Sequence, residues 1–253
     1  MLRFDLKSII ILIFVVSGYG ADFLDEQKQY SRVRKAVHEK ENIINHRLSE
    51  AGFKLDSIHT FIRIFKSERK LELWLKSTKS ATYQLHHTYQ FCSSSGDLGP
   101  KRRQGDFQIP EGFYYIDRFN PYSSFYLSLG LNYPNKSDRI LSHPKYPGGD
   151  IFIHGDCVTI GCVPITDDKI KELYLYAIYA KRNGQRKIPV HIYPYTFSNM
   201  ELADSIERDS SYSTQQAFWA DLKKIFLKFE NMHKLPIIHI DKNTGRYKIS
   251  GGN

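Results

Sequence analysis

Two short runs constrain the fold of this chain more than any other feature. Phe61-Ile62-Arg63-Ile64-Phe65-Lys66 and Leu71-Glu72-Leu73-Trp74-Leu75-Lys76 alternate in period two, and Ser67-Glu68-Arg69-Lys70 lies between them. That period sends successive side chains to opposite faces of a sheet, so the pair predicts a hairpin. A third strand is expected from Tyr83 to Phe91, and shorter ones over Ser123 to Leu131, Ile151 to Ile153 and Ile188 to Tyr193. Short strands joined by polar turns point to a mainly β domain. An aromatic content of 14%, with 17 Tyr and 16 Phe, agrees with that.

The pattern changes at both ends. From Asp22 to Ala51, Tyr30, Val33, Val37, Ile44 and Leu48 fall near helical spacing and predict one packing helix that turns at Gly52. Trp219, Leu222, Ile225, Phe226 and Phe229 predict a helix of about 15–20 residues near the other end, followed by an extended Ile237 to Ile240. A further helix opens at Asp167-Asp168-Lys169 and closes at Asn183-Gly184, with acid at its start and Lys181-Arg182 at its finish to suit the helix dipole. The segments Ser93 to Ile116 and Asn132 to Pro144 read as turns and polar loop.

Residues 1–20 read as a signal peptide. Arg3 and Lys7 form a basic start, Ile9 to Val16 an apolar core too short to span a bilayer, and Gly18-Tyr19-Gly20 a cleavage site before Ala21. An exported protein, periplasmic or cell-wall associated, is therefore expected. The net charge of +9 is spread along the chain without an RNP, zinc-finger or helix-turn-helix pattern, so nucleic acid is not an expected partner. No G-x-G-x-x-G follows a strand and no Walker pattern is present, so no phosphate cradle is expected. Lys101, Arg102 and Arg103 are candidates to face an anionic ligand; a solvated loop accounts for them equally well.

Three cysteines, Cys92, Cys157 and Cys162, cannot all pair within one chain. In an oxidising compartment an unpaired thiol is a liability unless it has a task. The stretch Gly149 to Ile165 supplies one. His154 ends its short strand, Gly155 breaks the chain, and Cys162 follows directly behind Gly161. An imidazole titrating near neutral pH can take a thiol proton. Backbone N–H groups at Gly161 and Cys162 can approach an acyl oxygen as an oxyanion hole, worth about 3–4 kcal/mol per donor. Other readings of the same residues stay open. His154, Cys157 and Cys162 could ligate zinc with His143, Cys157 and Cys162 could form a disulfide that leaves Cys92 free, or the histidine could simply be core.

At these residues the sequence resembles a family. His154-Gly155 followed by Thr159-Ile160-Gly161-Cys162 is similar to the His-Gly…Ser/Thr-x-Gly-Cys signature of the L,D-transpeptidase catalytic domain (YkuD) family. The compact spacing, the intervening Cys157 and the trailing Pro164-Ile165-Thr166-Asp167 resemble its YafK-like branch. Leu71 to Trp74, Gly99-Pro100-Lys101, Gly105-Asp106, Ile109-Pro110-Glu111-Gly112 and Val190 to Tyr193 extend the resemblance over roughly residues 60 to 195.

The resemblance implies a mostly β catalytic domain, an L,D-transpeptidase-like β-sandwich with helices at both ends (α+β overall). The corresponding division is 1–20 signal peptide, 21–59 helical segment, 60–195 catalytic domain and 196–253 C-terminal helical extension. It implies peptidoglycan stem peptides as substrate and no cofactor or metal. Cys162 takes the place of the nucleophile, His154 of the base, Gly161 and Cys162 of the backbone donors, and Gly155 and Thr159 of residues that shape the site. Val163-Pro164 departs from the Arg or Asn that many members carry after the cysteine. That leaves Lys101, Arg102 and Arg103 as candidates to hold the substrate carboxylate. The acyl group would pass to an amine, or to water in an amidase that cuts a peptidoglycan–peptide or peptidoglycan–protein link. A non-catalytic wall-binding module is the alternative from a different class.

Overall fold

The computed structural model describes residues 22–250; the expected signal peptide lies outside them. In chain order the elements are α1 (Phe23–Lys28), α2 (Ser31–Glu50), β1 (Ile58–Phe65), β2 (Lys70–Ser77), β3 (Gln84–Gln90), β4 (Gly112–Asn120), β5 (Ser128–Leu131), α3 (Lys136–Leu141), β6 (Phe152–His154), β7 (Val163–Pro164), α4 (Asp167–Arg182), β8 (Ile188–Tyr193), α5 (Met200–Arg208), α6 (Gln216–Met232), β9 (Ile238–Ile240) and β10 (Tyr247–Ile249). Strands β1 to β8 join one sheet in the order β3-β2-β1-β8-β4-β5-β6-β7, while β9 and β10 form a separate hairpin. The eight strands thus make one continuous mixed sheet with helices on both faces, curled so that the chain leaving β3 meets β7 (Cys92 N–H to the Pro164 carbonyl, 3.1 Å); the expected β-sandwich is present only in this curled form.

Alternation within the strands explains the layering. Ile62 and Ile64 of β1, Leu71, Leu73 and Leu75 of β2, and Val190 and Ile192 of β8 share one core with α4, whose residues Leu173 to Ala180 are all buried. Helix α2 closes over α4 with Val33, Ala36, Ile44 and Leu48. The opposite phase of the same strands carries Phe61, Phe65, Trp74 and Tyr193, and these meet Trp219, Leu222, Phe226 and Phe229 of α6. Each of those buried α6 side chains contributes on the order of 1.5–3 kcal/mol by leaving water. The C-terminal helix therefore packs on the sheet.

Covering the second face forces its polar positions to be paired. Arg63 is buried beneath α6; it donates to Glu72 at 2.9 and 2.7 Å and pairs with Glu230 of α6. The indole N–H of Trp74 donates to the same Glu72 oxygen at 2.9 Å. A second network joins α6 to the segment before β4. Glu111, fully buried, receives Trp219 Nε1 at 2.6 Å, the Gly99 N–H at 2.7 Å and Lys66 Nζ at 3.0 Å. Removing one partner of such a buried pair strands the other charge, at about 3–5 kcal/mol.

Several expectations need correction. The segment 22–51 is two helices, broken at Gln29-Tyr30, not one. The strand expected from Ser123 begins at Ser128, after a turn. The last part of the segment read as turns, from Gly112 to Ile116, opens β4, the strand that carries β5 to β7 into the sheet. The polar loop after Asn132 contains α3, closed by a capping box of Asn135 and Asp138. Helix α5 and strand β10 lie in stretches that the apolar spacing did not mark.

Candidate active site

Strands β6 and β7 end the sheet, parallel to each other, with Ile153 opposite Val163 and His154 opposite Pro164. Parallel neighbours usually need a dozen or more connecting residues. Here the link is the loop 155–162, and it is pinned at several points. Gly155 sits so close to Asp167 that an added Cβ would lie 2.4 Å from its carboxylate. That same carboxylate oxygen accepts the Asp156 N–H at 2.8 Å. Cys157 is bonded to Cys92, at the end of β3, 65 residues earlier. Thr159 Oγ1 accepts from the N–H groups of Gly161 (3.2 Å) and Cys162 (2.9 Å) and donates to the Cys162 carbonyl (2.8 Å). Gly161 has φ +132°, which favours glycine, and a Cβ there would stand 3.0 Å from the Gln108 carbonyl.

The disulfide settles the cysteine alternatives within the described residues. Cys92 pairs with Cys157, so Cys162 is the free thiol. The expected alternative of a Cys157–Cys162 bridge does not hold. With Cys157 in a disulfide, the zinc arrangement of His154, Cys157 and Cys162 loses a thiolate ligand.

Cys162 lies in a cavity of about 500 Å³ walled by Lys101, Gln104, Phe107, Lys145 and Tyr146. Its thiol donates to the carbonyl of Asp150 at 3.6 Å rather than to His154. Burial pushes the thiol pKa up and Asp150 adds to this, while the backbone of Phe152 and the Lys101 ammonium draw it down. Asp150 was not singled out in the sequence. It stands at φ +54° and pairs with Arg118 at 2.9 Å.

His154 is 1% exposed. Its Nδ1 bonds the carbonyl of Gly155, which can only accept, so Nδ1 carries the proton and Nε2 the lone pair. Nε2 is buried and has no hydrogen-bond partner. Burial lowers the imidazole pKa, opposed by the Gly155 bond and by Asp156. Phe125 stacks on the ring, centroids 4.6 Å apart. The turn carrying Phe125 is held by α2, because Arg32 donates to the carbonyls of Ser123 (2.6 Å) and Tyr126 (2.5 Å). Both ionisations are disfavoured, so the resting pair at neutral pH is a thiol and a neutral imidazole.

The other candidate residues fall in different places. Thr159 and Gly155 shape the loop as described. The N–H groups of Gly161 and Cys162, expected to face an acyl oxygen, are both directed to Thr159 Oγ1. Lys101 is 4% exposed and lines the cavity, its ammonium bonded to Asp106 (2.6 Å) and the Arg103 carbonyl (3.0 Å). Arg102 instead points into the fold, 3.6 Å from Asp138 and 4.9 Å from the ring of Phe218. Arg103 is exposed and outside the cavity lining. Among the described residues no group of three or more His, Cys, Asp and Glu is arranged to hold a metal ion.

Residues 59–192 match the family model described as L,D-transpeptidase catalytic domain, YkuD. The chain is 39% identical over 192 residues to "Putative L,D-transpeptidase YafK" of Escherichia coli (strain K12), covering 75% of this chain and 73% of that protein. Among solved structures, the helical cell shape determining protein Pgp2 from Campylobacter jejuni aligns with a TM-score of 0.41 at 17% identity, over 79% of this chain and 80% of that one. Bd1075 of Bdellovibrio bacteriovorus aligns with a TM-score of 0.39 at 23% identity, over 68% and 62%.

Proposed function

The chain belongs to the L,D-transpeptidase catalytic-domain (YkuD) family, and from that premise we propose that it is an exported cysteine acyltransferase acting on peptidoglycan stem peptides. The observation that carries the reading is the pairing of Cys92 with Cys157, which leaves one thiol, Cys162, in an open cavity directly before β7, the neighbour of the strand β6 that ends on His154, a buried imidazole with a free lone pair.

The chemistry follows from those protonation states. The Cys162 side chain turns from the Asp150 carbonyl, and Nε2 of His154 takes its proton. The thiolate attacks the carbonyl carbon between the third, diamino acid residue of the stem and its C-terminal neighbour. The tetrahedral oxyanion collapses, the C–N bond breaks, and His154 returns the proton to the leaving amine. A thioester remains on Cys162. An incoming amine loses its proton to His154, attacks the thioester and yields the transferred product; water in the same place yields the hydrolysed one.

Lys101 is the cation that wall and thiol share. It favours the thiolate, and its remaining N–H can serve the substrate carboxylate or the developing oxyanion. Gly161 and Cys162 serve the oxyanion only if Thr159 Oγ1 releases them. Arg102, held by Asp138 and Phe218, has no part in this scheme.

Muropeptide analysis of wall material incubated with the purified protein tests the assignment. New 3–3 cross-links identify the transferase, shortened stems or released wall protein identify the hydrolase, and an unchanged profile with intact wall binding would replace both with a binding module.

A further inference from the structure

The segment 132–150, which walls the thiol cavity at Lys145 to Asp150, also lines a second cleft, of about 590 Å³, at Asn132 to Lys136. Tyr115 and Asn132 form part of its wall, and Lys136, Arg139 and Lys187 stand around it, all three exposed. None of these cations forms an ion pair among the described residues, whereas Lys101 of the thiol cavity pairs with Asp106. Lys187 is held in place by the ring of Tyr115, its Nζ 4.5 Å from the centroid. The one acid in the lining, Asp117, is engaged by Arg118 at 3.2 Å. Asn132 uses its oxygen to accept the Tyr115 N–H at 2.7 Å, which leaves its amide N–H₂ as a donor toward a ligand. Lys242 adds a fourth cation in a neighbouring hollow that shares Lys136 and Arg139.

We propose that this cleft is a second binding site, for a carboxylate-bearing glycan–peptide strand of the cell wall, used to hold the polymer while another of its stems enters the thiol cavity. The proposal rests on the reading that Cys162 acts on wall peptides. Three unpaired cations around a concave surface favour an anionic chain that can enter it. A membrane surface would be met by a convex, apolar-tipped face. The two sites are also mechanically joined. Residues 132–150 contribute to both, and Tyr133 within this segment donates to the carbonyls of Pro147 (2.9 Å) and Lys101 (3.4 Å) at the thiol cavity. A strand held at one site raises the effective concentration of its neighbouring stems at the other.

The test uses the full chain on a Cys162→Ala background for binding and with Cys162 intact for turnover. Pelleting with purified insoluble peptidoglycan is measured for the parent and for the triple variant Lys136→Glu, Arg139→Glu, Lys187→Glu. The account predicts about a tenfold or greater loss of retention, recovered in part by the neutral triple Gln variant, with turnover of a short soluble tetrapeptide within about twofold of the parent. Unchanged pelleting overturns the proposal. So does loss of binding to vesicles of anionic phospholipid without loss on peptidoglycan, which assigns the cleft to a lipid headgroup. A parallel fall in short-peptide turnover by both variants overturns it too, since the cleft would then belong to the thiol site. If the parent turns over no peptide at all, the reading of Cys162 fails, and the pelleting difference still decides the cleft.

Discussion

Nδ1 of His154 is bonded to the carbonyl of Gly155, and this one contact fixes which nitrogen of the ring is available to Cys162. The imidazole is buried and its pKa lowered; the thiol is buried and its pKa raised. Catalysis then requires the neutral form of each. The acid limb of kcat/KM for the short tetrapeptide should lie below the ordinary imidazole value of 6.5, because a lowered pKa keeps the base unprotonated to lower pH. The alkaline limb should lie above the ordinary thiol value of 9.0. The same shifts act on stability. Above 6.5 the His154 contribution is fully present, and it is lost as pH falls, because the unfolded imidazole then binds a proton that the folded one resists. An alkaline limb below 9.0, as a thiolate–imidazolium pair gives when its imidazolium loses the proton, would contradict this.

Thr159 ties three backbone groups of the Gly161-Cys162 turn to one hydroxyl. Thr159→Val should leave two N–H groups and a carbonyl without that partner, at about 1–3 kcal/mol. We expect kcat/KM to fall roughly ten- to a hundredfold, with Thr159→Ser close to the parent. A Val variant more active than the parent would mean that the hydroxyl holds the two N–H groups away from the oxyanion, and that releasing them is the larger effect.

Arg32 reaches from α2 to the turn that places Phe125 on His154. Arg32→Ala should lower kcat about tenfold with little change in KM, since nothing in the thiol cavity is touched. Because the imidazole would be less shielded, the acid limb of the pH–rate profile should also move up toward 6.5. A lower melting temperature with an unmoved profile would reduce Arg32 to a packing residue.

The Cys92–Cys157 bond closes a loop across 65 residues and anchors the segment that leads to Cys162. Thiol titration of the denatured, unreduced protein should count one thiol, and three after reduction. Cys92→Ser should cost roughly 2–4 kcal/mol of stability and reduce turnover, because Asp156 to Thr159 lose their tether. Two or more thiols before reduction would show the pairing to be absent.

Much of this was legible in the chain itself. The hairpin of β1 and β2, the edge strand β3, helix α4 and strand β8 carry clean period-two or helical spacing, and they stand within a residue of where that spacing puts them, except that β1 starts three residues earlier, at Ile58. The motif His154-Gly155…Gly161-Cys162 pointed to the free thiol. What was hidden depends on contacts distant in sequence. Arg63 and Glu72 alternate as solvent-facing residues would, yet α6, some 150 positions later, covers them. Strand β4 sits among glycines and prolines that mark turns locally, and only its ladders with β8 and β5 make it a strand. Cys157 has its partner on the far side of the sheet sequence. The hydroxyl of Thr159 takes the two N–H groups that residue types alone offered to an acyl oxygen.

Intact-mass measurement after incubation with a stem tetrapeptide, followed by peptide mapping, bears most directly on the central claim that the Cys162 thiol is the acyl acceptor. The account predicts one adduct of the mass of the acyl fragment, labile to hydroxylamine, mapped to Cys162, absent from Cys162→Ala and strongly slowed in His154→Ala. An adduct that survives in Cys162→Ala, or turnover of the peptide by that variant, would contradict it.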